Sequence, residues 1–345
     1  MARLRLAIIG CGSWSSRMHL PALTNVCRTR HVLCAGVCDL DGHQAEEYAR
    51  RLAAGVSPAA AAPAIFTDID RMLSDLRPEG VLVLVPPPVT AGVIEQMARH
   101  RIPFLAEKPP APDTATHRRL IEQVGDLAHV VAYNRRHAPY IRQAKDWMQD
   151  GQVQSVTVLF SRHRRREQDF TSTAVHAIDT AWYLAGGQFA AMRAEAAPAG
   201  QAISYFISGW TAGGTRIDIL CTPDTASAVE HYIVRSDERT VFVSYPQTSM
   251  IDVPGFVELQ EDNKVVSRKS AGDFGIDPAD AATLGGILGE QMLFCDVLRG
   301  AAEPICTLSN TLQTQQVREA LSTLLAQGGR GVMELDLAGG SECRH

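Results

Sequence analysis

Leu6-Ala7-Ile8-Ile9-Gly10-Cys11-Gly12-Ser13-Trp14-Ser15 stands near the start of the chain, and its reading decides the fold. A short apolar run enters a glycine turn, and a helix-forming stretch, Ser16–Val26, follows. This strand–turn–helix order is the signature of a dinucleotide-binding site. Gly10 permits a tight turn, and Gly12 lets the backbone approach a pyrophosphate. The N–H groups that open the next helix, from Ser13 and Trp14 onward, would bind the phosphates. Ser15 stands where the third glycine of the fingerprint belongs, and it is small enough for close helix–strand packing. A lone Gly-x-Gly also marks ordinary strand–helix turns, so the next acid matters. Asp39 ends the second apolar run, Val32–Cys38. There it can accept hydrogen bonds from ribose hydroxyls and would repel a 2′-phosphate, which favours NAD over NADP. The simpler reading of Asp39 is that it starts a turn.

Outward from this turn the pattern alternates. Helical stretches are expected at Ala45–Leu52, Asp68–Leu76, Val89–His100 and Asp113–Val124, with the alanine-rich Ala53–Ala64 as a loop. Between them lie apolar runs at Gly80–Val85, stopped by Pro86-Pro87-Pro88, at Pro103–Ala106, and at His129–Ala132 before Tyr133. Continuous apolar strands separated by helices imply a parallel sheet covered on both faces, a doubly wound Rossmann domain over residues 1–132. Beyond it, Val153–Phe160, Met192–Ala196, Ala202–Trp210, Thr215–Cys221, Ala228–Val234 and Thr240–Tyr245 have strand composition. Helices are expected at Thr173–Ala185, Gly289–Arg299 and Leu308–Gln327. Strands joined by short turns predict a second, α+β domain over 133–337 with a large, mostly antiparallel open sheet, and a flexible tail at 338–345.

The 345 residues suit two domains, and 46% hydrophobic with 21% charged residues is ordinary globular composition. A formal charge of -5 gives no electrostatic reason for nucleic acid or an anionic membrane as partner. No apolar stretch is long enough to span a bilayer. Met1-Ala2-Arg3-Leu4-Arg5 leads straight into a strand without a secretory signal. The eight scattered cysteines contain no Cys-x-x-Cys pair, so neither a metal site nor a disulfide framework is expected. A cytoplasmic protein fits these features.

A second motif, Ala106-Glu107-Lys108-Pro109-Pro110, ends the fourth apolar run. Together with the glycine turn and its continuation, Arg17-Met18-His19-Leu20-Pro21-Ala22-Leu23, it resembles the glucose-fructose oxidoreductase/inositol dehydrogenase/MocA (Gfo/Idh/MocA) family of NAD(P)-dependent oxidoreductases. The resemblance implies that Lys108 lies near the nicotinamide and the reacting substrate oxygen. Pro109 makes a rigid, cis-compatible turn that aims it. An ammonium there can stabilise a developing alkoxide, and a lowered pKa would let it move protons. Pro86, Pro87 and Glu107 join the expected dinucleotide-contacting set.

The family's second motif, Asp-x-x-x-His-x-x-Asp, opens a helix facing the nicotinamide. His176 and Asp179 match it, but Ser172 stands where the first acid belongs. Serine can cap the helix or hydrogen-bond a sugar hydroxyl, yet it holds no charge and accepts no proton at neutral pH. Asp169 lies off that face and is a poor substitute. His176 is read as an acid/base partner of Lys108, against the plain alternative of a packed helical side chain. Tyr133 and Arg135 or Arg136 would touch substrate, or the arginines would form an interdomain ion pair. Arg162-His163-Arg164-Arg165-Arg166 is either a solvated loop or, through Arg164, a site for an anionic substrate group.

The expected function is hydride transfer between nicotinamide and a small-molecule sugar, cyclitol or nucleotide-sugar alcohol or ketone. Reduction of an imine or other unsaturated group stays open, as does a non-catalytic cofactor-binding sensor that binds protein partners. Family resemblance also implies a homodimer or homotetramer through the open sheet face.

Overall fold

The computed structural model describes residues 3–165, 169–246 and 255–337. The expected tail and Arg166 lie outside them. The chain forms two compact units, one of residues up to His137 with Gly286–Leu312, the other of Ala138–Gly285 and the chain from Gln313 onward.

The first unit carries strands β1 Leu4–Ile9, β2 Val32–Cys38, β3 Ala64–Phe66, β4 Gly80–Val83, β5 Phe104–Glu107 and β6 His129–Ala132. They pair in parallel in the order β3-β2-β1-β4-β5-β6. Helices α1 Leu20–Thr29, α2 Gly42–Val56, α3 Ile69–Leu76, α4 Pro87–His100 and α5 Thr114–Val124 connect them. Every residue of β4, β5 and β6 is buried, which is why these strands read as unbroken apolar runs. In this order β1 and β4 leave in opposite directions, so a crevice opens at their carboxyl ends.

Three local departures have physical causes. A π-helical turn, Ser15–His19, precedes α1, because Pro21 in the first turn of α1 has no N–H to give back. The helix α2 runs on through Ala53–Val56 instead of ending at Leu52, as alanine's helix propensity favours. The remainder of the expected loop ends in β3, which is made by pairing with Gly36–Cys38 rather than by local pattern.

The second unit contains α6 Pro139–Trp147, β7 Ser155–His163, α7 Thr171–Ala185, β8 Phe189–Ala199, β9 Ala202–Thr211, β10 Arg216–Thr225, β11 Val229–Arg235 and β12 Arg239–Ser244. It continues with β13 Phe256–Glu261, β14 Lys264–Lys269 and the short α8 Ala281–Leu284. The chain then forms α9 Ile287–Leu298 in the first unit, enters α10 Leu308–Ala326, and ends its described part with β15 Gly331–Asp336. The sheet order is β14-β13-β12-β11-β7-β10-β9-β8-β15, antiparallel except for β7 with β10. The hairpin β13–β14, absent from the expected strands, turns on Asp262 and Asn263, both at positive φ, 48° and 59°.

One sheet face is covered. Val156, Val158 and Phe160 of β7 join Ala174, Ile178 and Ala181 of α7 and Val317, Leu321 and Leu324 of α10 in a single core. Leu159, Leu220 and Phe206 stand side by side across β7, β10 and β9 on the other face and are exposed.

Candidate active site

The glycine turn is built as its residues demand. Gly10 has φ 97°, and a Cβ there would lie 2.5 Å from the Leu84 carbonyl oxygen, so no other residue fits. A Cβ on Gly12 would meet nothing within 4 Å. Ser15 is buried to 1% exposure, where a larger side chain would part helix from strand. The Asp39 carboxylate, just past β2, accepts the Cys11 N–H at 2.7 Å and the Asp41 N–H at 3.0 Å. A carboxylate has room for about four such bonds, so capacity remains for ribose hydroxyls. These features fit a dinucleotide. Pro86, exposed, caps α4, and Pro87 is its first residue, so the proline-rich end of β4 opens a helix without needing their N–H groups.

Glu107 is tied to the turn. Its Oε1 accepts the indole N–H of Trp14 at 2.6 Å and bonds His19 Nε2 at 2.8 Å, and its Oε2 accepts the Lys108 backbone N–H at 3.1 Å. Gln291 of α9 donates to His19 Nδ1 at 3.2 Å, so His19 carries its proton on Nε2 and gives it to Glu107. Burial pushes the Glu107 carboxyl up, but the His19 bond, the Lys108 charge and the Trp14 bond outweigh it, and the net pKa is lowered. The Trp14, His19 and Glu107 cluster was legible only as separate motif residues; Gln291 and its neighbour Glu290, both buried, carried no signal. Lys108 is half-buried, and its bond to Pro109 is cis.

Thus Gly10, Gly12, Trp14, Asp39, Pro86, Glu107 and Lys108 gather along the carboxyl edge of one sheet. Tyr133 and Arg136, just past β6, belong to the same unit and are buried; Arg136 donates to the Ile305 carbonyl at 2.8 Å. Arg135 is half-buried and donates to Asn134 Oδ1 at 3.3 Å.

In the second unit, His176 and Asp179 are buried in α7. Ser172 is not the helix cap. Phe170 occupies that position without a side-chain bond, and Ser172 Oγ reaches the Asp169 carbonyl at 3.5 Å. Asp169 instead accepts the Thr171 N–H at 2.8 Å and its hydroxyl, and lies 3.9 Å from Arg318. It serves the helix end and is not a stand-in for the family acid. The arginine run divides: Arg162 is buried, paired with Glu230 at 2.6 Å and seated 3.6 Å from the Phe160 ring centroid, with Tyr232 bonding the same Glu230 at 2.8 Å. Arg164 and Arg165 are exposed, Arg164 at φ 51°.

Among the described residues, no group of three or more His, Cys, Asp or Glu is placed to hold a metal ion. Among them also, no helix is long and apolar enough to cross a membrane.

Residues 4–135 match the Gfo/Idh/MocA family, described as an oxidoreductase family with an NAD-binding Rossmann fold. The chain is 26% identical over 196 residues to inositol 2-dehydrogenase of Corynebacterium glutamicum, 54% of this chain and 55% of that protein. It therefore spans about half the length of that relative. The chain is similar in fold to a dehydrogenase from Chromobacterium violaceum, at TM-score 0.80 and 16% identity over 95% of this chain and 97% of that one. An oxidoreductase from Agrobacterium radiobacter, in complex with NAD+, L-tartaric acid and magnesium, matches at TM-score 0.76 and 15% identity over 97% and 98%.

Proposed function

We propose that this chain, whose residues 4–135 belong to the Gfo/Idh/MocA family, is an NAD-dependent oxidoreductase acting on an alcohol or ketone of a sugar, cyclitol or nucleotide-sugar. The observation that carries the reading is the joining of cofactor turn and lysine turn through one carboxylate, Glu107. That link fixes Lys108 relative to the backbone that would hold the pyrophosphate. Bound NAD would supply the hydride acceptor. Of this chain's own groups, the Gly10–Ser15 turn would hold the phosphates, and Asp39 the ribose, with preference over a 2′-phosphate. The Lys108 ammonium would hydrogen-bond the reacting oxygen and stabilise its negative charge, and His176 would take or return the proton. The cyclitol class is supported by the inositol dehydrogenase relative. An exposed Arg164 suits an anionic substrate group. Oligomerisation through the open sheet face is supported by the exposed Leu159–Leu220–Phe206 row.

Incubating purified protein with NAD+ or NADH and a panel of sugars, cyclitols and nucleotide-sugars, followed at the nicotinamide absorbance, tests the reading. Turnover of one class supports it. NADH binding without turnover of any supports a second reading, a cofactor-binding sensor, which Ser172 in place of an acid favours. Turnover of imines alone moves the reaction to C=N reduction.

A further inference from the structure

Glu290 is the most unusual charge-bearing residue of the first unit. It lies in the first turn of α9 with no exposed surface, and neither carboxyl oxygen has a hydrogen-bond partner among the described residues. Its neighbour in sequence, Gln291, bonds His19, which bonds Glu107. The helix that carries Glu290 packs against β5, the strand that ends at Glu107, so a second buried carboxyl group lies within the field of the anion that holds both turns. A carboxyl group with no exposed surface and no hydrogen-bond partner ionises only at a large penalty, the more so in the field of a second carboxylate, so one of the two keeps its proton.

The hydrogen bonds say which one. Glu107 accepts from Trp14, from His19 and from the Lys108 backbone, all donors that favour an anion. Glu290 accepts from none of them. Burial, followed by the charge of Glu107, raises its pKa well above the ordinary carboxyl value. Among the described residues, none of the other titratable or charged groups on elements packed against α9 bonds a Glu290 oxygen. His129 of β6 is bonded to Leu127 and Leu308, and Arg136 donates to Ile305. His137 lies against Gly289 through its Cβ, 2.9 Å from where a Gly289 Cβ would stand. Arg30 meets Asp296 at 3.0 Å, near the other end of the helix.

We propose that Glu290 is a positioning residue of the nicotinamide end: a neutral carboxylic acid whose neutrality leaves Glu107 as the single anion that aligns Trp14, His19 and the Lys108 backbone. The dinucleotide reading of the turn underlies the role but not the protonation state. Ionising Glu290 sets a second buried charge against Glu107 and loosens the turn that Glu107 ties to Lys108.

The test uses the full-length protein and its Glu290→Gln variant, which keeps shape and hydrogen-bonding atoms but cannot ionise. NADH affinity is titrated as pH rises from neutral. The native protein should lose affinity by up to about tenfold per pH unit once Glu290 ionises, as linkage to one proton requires. The Glu290→Gln variant should bind NADH at neutral pH and stay level over that range. An alkaline loss identical in both proteins overturns the proposal, as does a Glu290→Gln variant that folds but binds no NADH at neutral pH. A second measurement is independent of cofactor. Infrared spectra of the native protein at neutral pH should carry a protonated-carboxyl carbonyl band that Glu290→Gln removes. Its absence from the native spectrum, or its persistence in the variant, refutes the neutral state. If native protein binds no NADH at any pH, the dinucleotide reading fails, while the infrared comparison still decides the state of Glu290.

Discussion

The carboxylate of Asp39 accepts the backbone N–H of Cys11 at 2.7 Å, so the residue expected to read the ribose also holds the glycine turn in place. Selectivity and turn geometry therefore rest on one side chain. Native protein should bind NADH more tightly than NADPH, and Asp39→Ala should narrow that gap. The variant should also weaken NADH itself, by about 1.5–3 kcal/mol for a lost hydrogen bond to a charged group. Calorimetric titration of both cofactors against both proteins checks this. Equal or tighter NADPH binding by native protein refutes it.

Replacing the proton-handling groups should produce an ordering. Lys108→Ala and His176→Ala should each lower kcat by about 10²–10⁴-fold, the usual effect of losing an acid/base group. NADH affinity should survive Lys108→Ala, because the turn and Asp39 hold the cofactor. Ser172→Ala should cost only about 0.5–1.5 kcal/mol, one neutral hydrogen bond. A Ser172→Ala variant as damaged as Lys108→Ala would put the serine in the proton path.

The exposed row of Leu159, Leu220 and Phe206 should be covered by a second copy of the chain. Light scattering of native protein should give a dimer or tetramer, and Phe206→Glu should move it toward monomer with little loss of thermal stability. A native monomer at working concentration is the contrary result.

Acid should destabilise the first unit through two histidines that clamp Leu308. His117 donates Nε2–H to the Leu308 carbonyl at 2.8 Å, and His129 Nε2 accepts the Leu308 N–H at 3.0 Å. Burial drives the His117 pKa down to about 4, and burial lowers that of His129. Both groups bind protons more readily unfolded than folded. Their stabilisation is present above the unfolded value near 6.5 and is lost as pH falls from there toward 4. For His117 the full effect is about 3 kcal/mol. Urea unfolding across this range should show the loss, and His117→Gln should flatten it. An unchanged acid limb in His117→Gln would rule His117 out as its source.

What the sequence determined by itself is what short-range chemistry dictates. Gly10 serves a tight turn that no other residue fits, and apolar runs such as Gly80–Val83 suit the inside of a covered parallel sheet. The strand composition and short turns between residues 153 and 245 likewise announced a mostly antiparallel open sheet. The tertiary structure decided everything that needs a partner distant in the chain. The strand β3 exists because Gly36–Cys38 pairs with it, and β15 because Ala191–Ala196 does. The arginine run looked uniform until Glu230, 68 positions away, drew Arg162 inside and left Arg164 exposed. Glu290 reads as an ordinary helical glutamate. Only its complete burial within the field of Glu107, in a segment that returns to the first unit from far along the chain, makes its proton matter. Local sequence records torsional and periodic preferences, whereas burial and charge pairing are properties of residues that the fold brings together.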